Sequence, residues 1–471
     1  MEDRAVNEIS RRRFLKFAGI GAMGLVGSSM LPEFRWVIEL GAGNTKPNFV
    51  FFLIDDLGWR DVGCYGSTFY ETPNIDKLAS QGMRFTNAYA ACPVCSPTRA
   101  SILAGKYPAR LNLTDWIPGH GRKNPKLIVP KFSQQLPLKE ETIAEALKSA
   151  GYVSASIGKW HLGEELYYPE KQGFDLNIGG THKGQPPAYF APYQIPTLKE
   201  GKEGEYLTDR LTDEALAFIE KNKDRPFFLY LPHFAVHTPI QGKEEKADKY
   251  KNKVKPGQEQ NNAMYAAMIE SVDESVGRVL KKLELLGIAG RTVIIFMSDN
   301  GGLTRMTSNA PLRAGKGTLY EGGIREPMII KWPGVTKPGK TCDVPVTSTD
   351  FYPTMLEMAG QPLKPEQHQD GLSMVPLLKE SGTIKRDALY WHYPHYHFTT
   401  PAGAVRQGDW KLIEYYEDGR LELYNLKEDI SETTNLVEKM SEKALELKKM
   451  LANWRKSVDA KMPAPNPDYK Q

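Results

Sequence analysis

Three short apolar runs constrain the fold of this chain more than anything else in it. The first, 47-PNFVFFLIDDLGWRD-61, is rich in Val, Phe and Ile, and its apolar part stops at Asp55-Asp56. The second, 291-RTVIIFMSDNGG-302, has the same form and stops at Asp299-Asn300. The third, 226-PFFLYLPHFAVHTP-239, ends near His237. Each run is too short for a typical helix, the pattern of a strand buried on both faces in a parallel sheet. Helix-like segments separate them, such as 140-EETIAEALKSAG-151 and 261-NNAMYAAMIESVDESVGRVLKKLELLG-287. Strands alternating with helices predict an α/β domain with a mostly parallel central sheet. Ligands bind such sheets beyond the carboxyl ends of the strands. Three runs that each deliver polar, chargeable groups to that edge therefore predict an active site there.

Beyond about residue 370 the texture changes. Polar and apolar residues alternate through 403-GAVRQGDWKLIEYYEDGRLELYNL-426 around Asp418-Gly419, which predicts an antiparallel hairpin. A charged helix over about 436–458 and a Pro-rich tail follow. The chain thus divides into a large domain over 46–375 and a smaller C-terminal α+β subdomain with an antiparallel sheet over 376–471.

Residues 1–45 stand apart as a signal peptide and linker. The segment 10-SRRRFLKFAGIGAMGLVGSSM-30 combines a twin arginine with a Gly-rich, weakly apolar run. It resembles a twin-arginine export signal, with a basic arm before a core helix as the alternative. The apolar run is too short and too glycine-rich for a stable membrane span. Across all 471 residues the net charge is only +4, which argues against a nucleic-acid binder but leaves room for an anion in a local basic pocket. Four cysteines are few for an exported protein held by disulfides.

Asp55, Asp56, Asp299 and Asn300 offer three carboxylates and an amide, oxygen donors suited to a hard divalent cation such as Ca²⁺ or Mg²⁺. A helix cap or turn would explain either pair alone; two pairs that each end an apolar run favour a metal. Zinc is less natural, with nine histidines, no H-E-x-x-H and no second C-x-x-C. In 90-AACPVCSPTRASILAGKYPAR-110 the Cys92/Cys95 spacing is that of a redox pair or half a zinc site. The same stretch reads forward as Ser96 capping a helix over 98–104, with Pro97 first and Gly105 as the stop. Cys95 then lies just before a helix N-terminus, where N–H groups and Arg99 favour an anion. A thiolate nucleophile is the default proposal.

Here the residues carry a resemblance. Cys95-Ser96-Pro97-Thr98-Arg99, followed by 102-ILAG-105, resembles the C-x-P-x-R signature of type I sulfatases, in the alkaline phosphatase superfamily. The stretch 151-GYVSASIGKWHLG-163, with Lys159 and His161, resembles the family's second signature. The Asp55-Asp56 and Asp299-Asn300 pairs, His237 and 313-RAGKGTLYEGGIREP-327 fall in the family's order, and the likeness covers about residues 46–460. It implies an alkaline-phosphatase-like fold and one Ca²⁺ held by Asp55, Asp56, Asp299, Asn300 and a modified Cys95. It implies oxidation of Cys95 to Cα-formylglycine by a formylglycine-generating enzyme, before passage through the twin-arginine export machinery. Arg99, Lys159, His161, His237 and Lys316 would surround the sulfate.

On that reading a hydroxyl of the hydrated aldehyde, deprotonated with help from Asp299, attacks sulfur. His237, with Lys316 as a second candidate, protonates the leaving alcohol. His161 then takes the remaining hydroxyl proton, and sulfate leaves as the aldehyde re-forms. The implied protein is a periplasmic or secreted sulfate-ester hydrolase. Aromatic and basic residues in 112-NLTDWIPGHGRK-123 and 391-WHYPHYH-397 favour a sulfated saccharide as substrate. The alternatives are a phosphate or phosphonate monoester hydrolase of the same superfamily, and a non-catalytic binding protein with Cys95 unmodified. A further sulfate contact within 181-THK-183 stays open, and Cys92 is expected to be a small packed residue.

Overall fold

The computed structural model describes residues 46–470. The twin-arginine segment lies outside them. At the centre is an eight-stranded sheet. From one edge its strands run Lys340–Cys342, Met83–Phe85, Met328–Lys331, Thr292–Ser298, Asn48–Ile54, Phe227–Pro232, Val153–Ile157 and Leu176–Ile178. Met328–Lys331 is antiparallel to both its neighbours, and every other pairing is parallel. The three apolar runs of the sequence are the three central strands, with Phe51 opposite both Tyr230 and Ile295.

Both faces of the sheet are covered, which is why these runs do not alternate with polar residues. Phe49, Phe51 and Leu53 face one core, shared with Ala100 and Leu103 of the helix Cys95–Ala104 and with Phe351 and Met355 of Phe351–Met358. Val50, Phe52 and Ile54 face the other, built largely on the helix Ala263–Leu285. That helix presents Tyr265, Met268, Val272, Val276, Val279 and Leu283 at helical spacing, and the Asn262 side chain caps its first turn by accepting from the Tyr265 N–H. The expected 140–151 segment is the helix Ile143–Ser149, opened by a Thr142/Glu145 capping box.

The C-terminal strands Leu389–Tyr393, Ala402–Gln407, Trp410–Tyr415 and Leu421–Asn425 form a separate antiparallel sheet, and the helix Ser441–Ser457 packs on it. The predicted turn at Asp418-Gly419 joins its last two strands, with Gly419 at φ 71°. Buried polar contacts tie this sheet to the loop 313–320. The fully buried Lys411 ammonium donates to Glu321 Oε1 at 2.8 Å and lies 2.9 Å from Glu432 Oε1. Glu321 directly follows that loop, which carries Lys316, so the small sheet steadies a loop of the large one.

Two outcomes follow from this framework. Lys411→Met strands two buried carboxylates, and it should destabilise the fold by about 3–5 kcal/mol; a urea midpoint within error of the parent would contradict this. His233 and His395 are held neutral by burial, each with its pKa pushed down to about 3. Unfolded, each takes a proton near pH 6.5. Stability is therefore complete above about 6.5 and lost as pH falls toward the folded values, by roughly 1–2 kcal/mol per histidine at pH 5. Urea titrations at pH 7 and pH 5 read this loss, and His233→Gln should shrink it.

Candidate active site

The carboxyl ends of four adjacent parallel strands converge on one point. Ile54 delivers Asp55 and Asp56, Ser298 delivers Asp299 and Asn300, Pro232 leads to His237, and Ile157 leads through Gly158 to Lys159 and His161. The helix Cys95–Ala104 and the loop carrying Lys316 complete the ring. Asp55, Asp299, Asn300, Arg99 and Lys159 have no exposed surface.

Burial of so many charges is sustained by direct pairing. Lys159 Nζ donates to Asp55 Oδ2 at 2.6 Å. Arg99 donates from Nε to Asp299 Oδ2 at 2.9 Å and from a terminal nitrogen to the Lys159 carbonyl at 2.8 Å. Lys316 Nζ donates to both Asp56 oxygens, at 2.6 and 2.8 Å. Asp56 and His161 sit in the left-handed region at φ 63° and 61°. Such strain costs roughly 1–3 kcal/mol per residue and persists only where neighbours fix the backbone. They do so here: the Asp56 N–H donates to Asp299 Oδ1 at 3.2 Å, and the His161 N–H to the Thr181 carbonyl at 2.9 Å.

Burial, reinforced by Asp299 and Asp56, pushes Asp55 up to about 8 against the pull of Lys159. Burial would raise Asp56 as well, yet Lys316 and His237 hold it well below the usual carboxylate range. Asp55 Oδ1 and Asn300 Oδ1 are buried and accept no hydrogen bond. An unpaired buried oxygen costs about 1–3 kcal/mol, which a cation would offset. Ligand atoms of Asp55, Asp56 and His237 lie within 4.8 Å of one another. This donor set, mostly oxygen, fits a hard divalent cation.

Cys95 lies in the first turn of its helix rather than before it, a correction to the sequence reading. The cap position is Val94, not Ser96, because the Ser96 hydroxyl accepts from the Ile117 N–H at 3.2 Å. Pro97 is tolerated since first-turn N–H groups have no helical partner, and Gly105 ends the helix at φ 66° as expected. Burial keeps the Cys95 thiol above its ordinary pKa despite Lys159 and Lys316, so a thiolate is disfavoured. Its Sγ lies 3.4 Å from His161 Nδ1. His161 Nε2 contacts the Ile117 carbonyl at 2.5 Å and must carry the proton of that bond, leaving Nδ1 as the acceptor facing Cys95. Burial and Lys159 push the His161 pKa well below its ordinary value, so the ring is neutral. Burial and Lys316 likewise bring His237 down to about 3.

Above these groups opens a cleft of about 820 Å³. Asp56, Cys95, His161, His237 and Lys316 line it. Arg99 and Lys159 do not; they sit behind, tied to Asp299 and Asp55. His182 and Lys183 reach the mouth, whereas Thr181 is buried beneath. Cys92 packs in an apolar cluster with its Sγ directed at the Thr114 carbonyl, and all four cysteines are free thiols. In 391–397, His392 bonds to Tyr416 and the Lys461 carbonyl, and His395 to Thr114. Only His397 of that cluster reaches the cleft. Sequence reasoning missed Gln134, Gln135 and Arg305 on the walls, which sit in loops without a motif or period. It also passed over Asp61, which accepts from Thr307 and Tyr265 beneath Asp56 although it closes the first apolar stretch.

Residues 47–361 match the sulfatase family, and residues 315–457 match the N-sulphoglucosamine sulphohydrolase C-terminal family. A sulfatase of Formosa agariphila is 35% identical over 92% of this chain and 91% of its own. Human N-acetylgalactosamine-6-sulfatase is 35% identical over 73% of this chain and 68% of its own. The crystal structure of Ps i-CgsB in complex with k-i-k-neocarrahexaose superposes with a TM-score of 0.77 at 33% identity, covering 88% of this chain and 94% of that one. The chain belongs to the sulfatase family and is a sulfuric ester hydrolase.

Proposed function

We propose that this protein is an exported, Ca²⁺-dependent sulfatase that removes sulfate from carbohydrates, with formylglycine made from Cys95 as its nucleophile. The observation that carries this is the environment of Cys95: a buried, protonated thiol facing a neutral imidazole across 3.4 Å, beside an acidic cluster with two unsatisfied oxygens. As a thiol the residue is poorly placed to attack anything. Oxidised to formylglycine, it supplies a hydrated aldehyde whose hydroxyl can attack sulfur. Asp55, Asp56, Asp299 and Asn300 would hold Ca²⁺, which supplies positive charge where the sulfuryl oxygens become more negative.

The chain's own groups supply the rest. His161 Nδ1 has a free lone pair directed at position 95 and can take a proton there. Lys316, on the cleft wall, offers a fixed cation to the departing sulfate. His237 faces the same space and is placed to exchange a proton with the leaving alcohol. Arg99 and Lys159 act as positioning groups, since each is buried behind the cleft wall and paired with Asp299 or Asp55. Formally the three carboxylates and the cations Arg99, Lys159 and Lys316 cancel, so a divalent ion would leave a positive site matched to an anionic ester.

A saccharide substrate is supported by Trp116, His397 and Phe398 on the cleft wall and by the basic Lys183 and Arg305 that line the same cleft. It is also supported by the carbohydrate sulfate and oligosaccharide named for two of the relatives. Export to the periplasm or beyond rests on the twin-arginine segment. Among the described residues no helix is long and apolar enough to cross a membrane.

The test compares sulfate and phosphate monoesters that share one leaving group, alongside a panel of sulfated saccharides. Preferential sulfate release supports the proposal, and preferential phosphate release overturns it. Lys316→Ala should lower kcat by roughly 10²–10³-fold, the usual loss of a donor aimed at developing charge.

A further inference from the structure

The main cleft does not end at its own wall. His397 and Phe398 also line a second depression of about 530 Å³, whose other side carries His120, Arg122, Tyr396 and Arg420. An aromatic ridge joins the two. The Trp116 and His120 rings stack 6.0 Å apart, His120 and His397 lie 5.0 Å apart, and His397 and Phe398 lie 4.2 Å apart. Phe398 is 56% exposed on the rim, a flat apolar surface of the kind that a sugar ring covers. The ridge also reaches the catalytic loop. A Cβ at Gly317 would meet His397 Nδ1 at 2.3 Å, so this glycine lets the ridge seat itself directly beside Lys316.

The charge of the second depression is positive. Arg122 is exposed, has no carboxylate partner among the described residues, and lies 4.7 Å over the Tyr396 ring. Arg420 lies 4.0 Å over the Tyr415 ring, its side chain 53% exposed, and Glu422 approaches its Nε only to 3.5 Å. Glu417, beside Arg122's platform, accepts a hydrogen bond from the Tyr396 hydroxyl at 3.3 Å. Guanidinium groups stacked on aromatic rings keep their outer N–H edges free for bidentate contact with an oxyanion.

We propose that this depression is a second anion subsite, which takes a sulfated or carboxylated sugar ring adjoining the one whose sulfate is removed. The inference rests on the reading of the main cleft as the sulfate-ester site. Arg122 and Arg420 bind the neighbouring anionic group, Phe398 stacks on the ring, and His397 separates the two units. The preferred substrate is then a polyanionic oligosaccharide in which adjacent rings carry charge.

The test measures binding to the full-length protein by calorimetry with paired galactose and glucosamine trisaccharides. In each pair one member is sulfated on every ring and the other on its terminal ring alone. The wild-type protein should bind the fully sulfated member about tenfold more tightly or better in at least one series, and Arg122→Ala/Arg420→Ala should remove that preference. Phe398→Ala should weaken both members of the pair alike. Equal wild-type affinities, or a preference that survives in the double variant, would overturn the subsite. Sulfate release from a small aryl sulfate is recorded separately with the wild-type protein. Absence of sulfate release from this ester and from every trisaccharide of both series would count against the sulfatase reading, whereas the binding difference reports on the subsite alone.

Discussion

The fold is organised around a buried cluster of charges that meets the solvent only at the cleft, through Asp56 and Lys316. Asp55 and Asp299 are fully buried and oppose Lys159 and Arg99, which are fully buried too, while Asp56 is gripped by Lys316. Taking such groups out of water costs several kcal/mol per ion unless each is paired and held in place. The central sheet provides the holding. Its middle strands are anchored by side chains on both faces, so their carboxyl ends cannot drift, and each end places one or two polar or charged groups within reach of the others.

The two unsatisfied oxygens at Asp55 and Asn300 and the upward push on Asp55 point the same way. Side-chain cations match the carboxylates in formal charge but leave these two oxygens without a partner, because each can approach from one direction alone. A hard cation among the carboxylates would complete it from the remaining side. The division of labour among the basic residues is equally physical. Arg99 and Lys159 are fully buried and paired with Asp299 and Asp55, so they shape the site from behind. Lys316 is pinned through Asp56 and still faces the cleft, which leaves its charge available to a substrate. The Lys411–Glu321–Glu432 contacts then connect the small sheet to the loop on which Lys316 rides.

The sheet was legible in the sequence because strands buried on both faces leave unbroken apolar runs, and these runs end at the residues that line or underlie the cleft. Asp55, Asp299 and His237 could be located that way, and Cys95 by its local C-S-P-T-R grammar. What sequence could not give is depth. Arg99 and Lys159 share their charge with Lys316, and only packing decides that they lie behind the cleft wall. The helix start moved to Cys95 because the Ser96 hydroxyl met the Ile117 N–H, a contact between segments 21 residues apart. Gln134, Gln135 and Arg305 come from loops whose position depends on the whole fold. The second depression beside His397 likewise joins residues 120–122, 396–400 and 420, and no local pattern links them.

The account depends most on what stands at position 95. Tryptic digestion releases residues 85–99, which contain both Cys92 and Cys95. Fragment masses of this peptide from protein expressed with its maturation system read the position directly. The account predicts that residue 95 is lighter than cysteine by about 18 Da, the change from thiol to aldehyde, with Cys92 unaltered. An unmodified thiol at position 95 in protein that releases sulfate would contradict it.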